Sequence, residues 1–139
     1  MTINTTNRSP APDSLELLWE IANGSRRIHE TMLNNALGSA ETAGSCLFAS
    51  VHLAMAVNKF SGWHARVKGG HFNAPDGRVH GHYWVQAWLN EASFILDITA
   101  DQFGAATVQL LPESVAQNYV ADDDATIDRH LRLADLPTQ

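Results

Sequence analysis

The chain has only one cysteine, Cys46, so no disulfide can form within it, and a lone thiol suits a reducing compartment. No run of 18 or more apolar residues occurs, which leaves no candidate for a membrane-spanning helix and no call for a membrane partner. Cations are scarce: nine Lys and Arg stand against fifteen Asp and Glu, a net charge of −6. No basic stripe interleaved with aromatics offsets this, so the phosphates of a nucleic acid would be repelled. Residues 112–139 concentrate the imbalance, with Glu113, Asp122, Asp123, Asp124, Asp128 and Asp135 against Arg129 and Arg132. Asp122-Asp123-Asp124 reads as a solvated loop leading into a helix N-terminus, where carboxylates are favoured. Met1 to Pro12 lacks the basic start and apolar middle of a secretory signal, and the expectation is a soluble, cytoplasmic protein.

With 139 residues, 45% of them hydrophobic, the chain can bury one core but has no room for two. Residues 1–12 read as a flexible segment and residues 13–139 as a single domain. Asp13 and Glu16 resemble a capping box opening a short helix that stops at Asn23-Gly24. A second helix over about 26–37 places Ile28, Met32, Leu33 and Leu37 on one face. The third begins at or just after Ser45 and runs to about Phe60, apolar on nearly every side, and so is read as a buried central helix with His52 as a hydrogen-bonded core histidine.

From Gly62 the period changes to two. Trp63 to Lys68, Tyr83 to Leu89 and Ser93 to Thr99 read as strands, the last two joined by a turn near Asn90 and Glu91. Gly69 to Gly81 reads as a long loop. Pro112-Glu113 starts another helix, and Asp124 to Leu133 forms a terminal one with Ile127, Leu131 and Leu133 inward. The fold class is α+β.

Three residues along this order carry chemistry. Cys46 sits in the first turn of its helix, where unpaired backbone N–H groups and the positive end of the dipole favour a thiolate. His82 opens one strand, and Asp97 lies near the end of the next. If the turn centres near Asn90 and Glu91, His82 falls opposite or diagonal to Thr99 and Asp97, within reach of an imidazole and a carboxylate. Cys, His and Asp are the parts of a thiol acyl-transfer site: a nucleophile, a base and a group that holds the base's tautomer.

Gly44-Ser45-Cys46 opening a helix, Ala65-Arg66-Val67 on a strand, His82-Tyr83-Trp84-Val85 and Asp97-Ile98-Thr99 together resemble the core of the transglutaminase-like superfamily of papain-like folds. The likeness spans about residues 44–103. It implies a central helix bearing the cysteine packed on a small antiparallel sheet, with Cys46 as nucleophile, His82 as base and Asp97 as orienter. It also implies peptide or protein amide substrates, with no metal or cofactor. The superfamily includes peptidases, deamidases, cross-linking acyltransferases and inactive relatives. This chain departs from its pattern in carrying Ile98 where proline is usual, and Asp101 competes with Asp97 for the third position.

Two other readings use the same residues. The chain could keep such a fold for binding alone, with residues 69–81 as contact surface. His64, His71, His80 and His82 fall within 19 residues, and a His-x-His pair on a strand puts two imidazoles on one face, so a zinc or copper site is the sharpest rival. Trp84 and Trp88 share the face of His82, and core packing accounts for them more simply than substrate stacking.

Overall fold

A computed structural model describes residues 12–38 and 45–139. The expected flexible segment thus lies outside the described residues, apart from Pro12, which opens the first helix. The elements in chain order are α1 (Pro12–Leu37), α2 (Cys46–Phe60), β1 (His64–Asn73), β2 (Val79–Leu89), β3 (Ala92–Asp97), a 3₁₀ turn at Ala100–Phe103, β4 (Gln109–Pro112), a 3₁₀ turn at Glu113–Val115, β5 (Tyr119–Ala121) and α3 (Asp124–Leu133). The five strands form one antiparallel sheet in the order β4-β3-β2-β1-β5. The fold is α+β.

Helix α1 is a single helix where two were expected. Asn23 and Gly24 lie within it, and the Asn23 amide donates to the Trp19 carbonyl one turn back. A glycine in a helix costs about 1 kcal/mol, which tertiary anchoring on both sides outweighs. That anchoring is a stripe of Leu18, Ala22, Arg26 and His29, all buried. Ile28 and Met32, expected inward, are instead exposed. The buried stripe carries two polar residues whose partners lie far along the chain, so apolar periodicity alone chooses the wrong face.

Helix α2 begins at Cys46 and buries Ala49, Ser50, Val51, Leu53, Ala54 and Val57 against the sheet. It is not buried all round. His52 is exposed, with its ring against Phe48 at 4.2 Å, so it is no core histidine; Met55 and Phe60 are exposed as well. A groove of about 630 Å³ opens there between α1 and α2.

Residues 69–81 form no long loop. β1 and β2 continue as a hairpin from the His64↔Trp88 pair to Asn73↔Val79. Gly69 and Gly70 are mid-strand glycines where other chain passes close: a Cβ on Gly69 would meet the Tyr83 ring and Ile127, and one on Gly70 would enter the Val120 carbonyl of β5. β4 and β5 were not anticipated, and the helix expected at Pro112-Glu113 is only the three-residue turn Glu113–Val115. Helix α3 does run from Asp124 to Leu133, with the Asp123 side chain accepting from the Thr126 N–H at its start. Ile127 and Leu131 are buried, but Leu133 is 81% exposed.

The sheet curls. Gln109 of β4 and Tyr119 of β5 belong to opposite edges, about 19 Å apart if the sheet were flat, yet their side chains are hydrogen-bonded at 2.8 Å. The concave face holds Phe72, Trp84, Ile95 and Tyr119, whereas α2 covers the other face over Ala65, Val67, Val85, Ala87 and Leu96.

Candidate active site

The β2–β3 ladder runs only from Leu89↔Ala92 to Val85↔Leu96. Beyond it β2 continues paired to β1 alone, so the edge of β2 at His82 and Tyr83 is released just where β3 ends in Asp97. The start of α2 meets this split.

His82 Nε2 lies 2.7 Å from Asp97 Oδ2, with the two side chains 0% and 1% exposed. A carboxylate only accepts, so Nε2 carries the proton. The other ring nitrogen, Nδ1, makes no regular hydrogen bond and is the one left for Cys46, with which His82 interacts. The walls around the imidazole are aromatic: Phe72 at 5.4 Å, Phe103 edge-on at 5.1 Å and Trp84 at 6.0 Å.

Burial is the largest influence on His82 and opposes its charge. The hydrogen bonds and charges of Asp97 and Cys46 outweigh it and bring the pKa up to about 9. Burial likewise works against the Cys46 thiolate, yet interaction with His82 and the backbone N–H of Tyr83 outweighs it, and the thiol sits below its ordinary value. No carboxylate occupies the first turn of α2 to offset the helix dipole. The shifts of half-buried Cys46 and buried His82 thus both run toward the charged forms, thiolate and imidazolium.

Asp97 is more completely held than a two-residue picture implies. Oδ1 accepts the Thr99 N–H at 3.0 Å, and Oδ2 accepts both His82 and the Tyr119 hydroxyl, the latter at 2.8 Å. Burial, then the charge of Asp97, pushes the Tyr119 phenol far above its ordinary range, so it stays protonated and donates. Asp101 is engaged elsewhere: Arg26 of α1 grips it at 2.6 and 3.0 Å and also donates to the Ile98 carbonyl at 2.7 Å. Next to Cys46, the Ser45 hydroxyl is 2.9 Å from His29 Nε2.

Cys46, His82 and Asp97 are therefore brought together. The four histidines of the rival reading are not: His64 stacks on Trp88, His71 is exposed, His80 pairs with Asp76 at 2.9 Å, and His82 faces Asp97. Among the described residues no group of three or more His, Cys, Asp or Glu is placed to hold a metal ion. Trp84 is buried in the concave core, as expected of packing. Tyr119, Gln109 and Arg26 were missed. Only the strand pairing at both sheet edges brings the first two to Asp97, and nothing local in the sequence marks them. Among the described residues no helix is long and apolar enough to cross a membrane. Set against protein-family models, curated proteins and solved structures, the chain gives no match.

Proposed function

We propose that the protein is a cysteine-dependent amide-bond hydrolase of transglutaminase-like, papain-like type, acting on a peptide or protein amide. The observation that carries this reading is the placement of His82, with Nε2 on buried Asp97 at 2.7 Å and Nδ1 left for Cys46, the three residues coming from separate elements. The Cys46 thiolate attacks the amide carbonyl carbon. The resulting oxyanion is met by the backbone N–H at the start of α2. The C–N bond breaks as the imidazolium of His82 gives its proton to the leaving amine, and a thioester remains on Cys46. Water then attacks the thioester while neutral His82 takes its proton, the C–S bond breaks, and the acid leaves with thiolate and imidazolium restored. Asp97 keeps the Nε2 proton in place throughout.

The test is acid quenching of the protein with a panel of peptide anilides and glutamine peptides, followed by intact mass measurement. An acyl adduct on Cys46, absent in Cys46→Ala, with amine or ammonia released, supports the reading. Adding a primary amine tells hydrolysis from transfer by the product formed. No adduct and no release across the panel would leave the fold serving binding alone.

A further inference from the structure

Asp97 and His82 do not act as an isolated pair, because a third and fourth side chain stand behind the carboxylate. Gln109 is the direct cross-strand partner of Asp97 in the β3–β4 ladder. Tyr119 arrives from the other edge of the sheet, paired with Phe72 of β1, and its ring packs on Phe72 at 4.8 Å and Trp84 at 5.0 Å. The curl of the sheet closes these into a chain of hydrogen bonds: Gln109 Nε2 donates to the Tyr119 oxygen at 2.8 Å, and the Tyr119 hydroxyl donates to Asp97 Oδ2 at 2.8 Å. That oxygen is the one His82 uses.

We infer that Tyr119, held by Gln109, is a positioning residue that sets how strongly Asp97 pulls on the imidazole, and so fixes the pH range over which the thiolate–imidazolium pair exists. This rests on the proposed role of Cys46 and His82. A phenol held by an amide N–H has its oxygen lone pair engaged, so its own proton is committed to the carboxylate. The carboxylate charge is then shared between two donors. Without the phenol, the same charge falls on the imidazolium alone and stabilises it further.

Few other groups bear on this balance. Among the described residues, titratable side chains set against the Cys46–His82 pair include Asp97 from β3, Tyr119 from β5 and Tyr83 from β2, the last acting on Cys46. The remaining walls are the rings of Phe72, Trp84 and Phe103, and His80 stacks on Phe103 at 4.2 Å. Gln109 is uncharged, so changing it alters the hydrogen bond without adding a charge.

The experiment is the rate of Cys46 alkylation by iodoacetamide against pH, joined to NMR titration of the His82 ring. Tyr119→Phe keeps the ring and removes only the hydroxyl. It should move the upper transition of His82 upward by about one pH unit, the size of a lost charge-assisted hydrogen bond shared with a second donor. Gln109→Met, which keeps the length and removes the donor, should shift it the same way by less. In the unaltered protein the Tyr119 hydroxyl proton should appear as a downfield, slowly exchanging resonance, a reading that stands even if a variant fails to fold. A purely structural Tyr119 would lower melting temperature and leave both transitions in place, and that result, or a rapidly exchanging hydroxyl, overturns the inference. Failure of the underlying pair looks different: the unaltered protein would itself titrate as a free thiol near pH 8.5.

Discussion

Arg26 of α1 closes on Asp101 with two parallel hydrogen bonds, Nη1 to Oδ1 at 2.6 Å and Nη2 to Oδ2 at 3.0 Å, only four residues beyond Asp97. The same guanidinium holds the Ile98 carbonyl at 2.7 Å and is itself 6% exposed. It thereby ties the chain leaving β3 to α1. Asp101 looked from sequence like a rival for the third site position, and this pairing assigns it to a different task.

Asp101→Asn should therefore act on stability. It leaves a buried guanidinium with only the more exposed Glu30, at 3.6 Å, as counter-charge, a change that costs about 3 kcal/mol. The His82 transition should stay in place, because Asp101 is held by Arg26 while the imidazole is held by Asp97. Denaturant unfolding and the alkylation profile, run on the same variant, check both halves. A shifted profile at unchanged stability would mean that Asp101 does orient the base.

The pH behaviour of the pair has a sign that can be worked out. His82, raised to about 9 from about 6.5, adds stability that is fully present below 6.5 and is lost as pH rises through 9. Cys46, lowered, adds stability that is present above its unfolded pKa and is lost as pH falls through its folded one. Where the pH lies above 6.5 and above the lowered folded pKa of Cys46 but below the thiol's ordinary value, the folded protein holds its proton on His82 and the unfolded chain holds it on Cys46, so the pair as a whole binds the same number in each state. Either group alone would tilt stability by about 1.4 kcal/mol per pH unit, and together they cancel. Urea unfolding across this window should show almost no slope from the pair. Cys46→Ala removes one half of the cancellation, so its stability relative to the unaltered protein should fall as pH rises.

The hairpin that carries His82 and Asp97 was legible because its register depends on a turn only a few residues away. The Val85↔Leu96 pair, carried on, sets His82 across from Thr99 and diagonal to Asp97. The start of α2 at Cys46 was legible for a similar local reason, an apolar run opening after Gly44-Ser45. What could not be read depends on distant chain. Gly69-Gly70 carries the composition of a loop, yet the glycines are there to admit Tyr83 and β5. Arg26 and His29 interrupt an apolar pattern, yet they are the buried face because Asp101 and Ser45 lie behind them. Tyr119 sits in a three-residue strand too short to have any period of its own.

Asp97→Asn should keep a measurable part of the turnover, since Asn still accepts from His82, and Asp97→Ala should keep less. A thiolate–imidazolium pair needs its third member less than a serine hydroxyl does. Replacing Cys46 or His82 by Ala should abolish turnover. The structure adds a cost to the Asn variant: all three groups facing the carboxylate are donors, His82, Tyr119 and the Thr99 N–H. An amide offers one oxygen and sets its NH₂ against at least one of them, a loss of about 2 kcal/mol. Activity and melting temperature measured together separate these effects. An Asn variant of full stability would contradict the three-donor arrangement.

Gly70→Ala tests whether the far edge of the sheet matters to the site. Gly70 has φ +155°, which L side chains rarely adopt, and its Cβ would run into the backbone carbonyl of Val120. Backbone cannot rotate away as a side chain can, so β5 must separate from β1, at a cost of about 3 kcal/mol. Tyr119, one residue before Val120, would then lose its seat on Phe72 and its reach to Asp97. The expected result is a folded but less stable protein whose His82 transition moves in the same direction as in Tyr119→Phe. Gly77→Ala, in the β1–β2 turn at φ +81° with no atom near its Cβ, is the matched control: it strains the backbone without touching β5 and should leave the transition where it was. If Gly70→Ala lowers stability and the transition does not move, Tyr119 keeps its hydrogen bond without the β1–β5 pairing, and the curl of the sheet is not what delivers it.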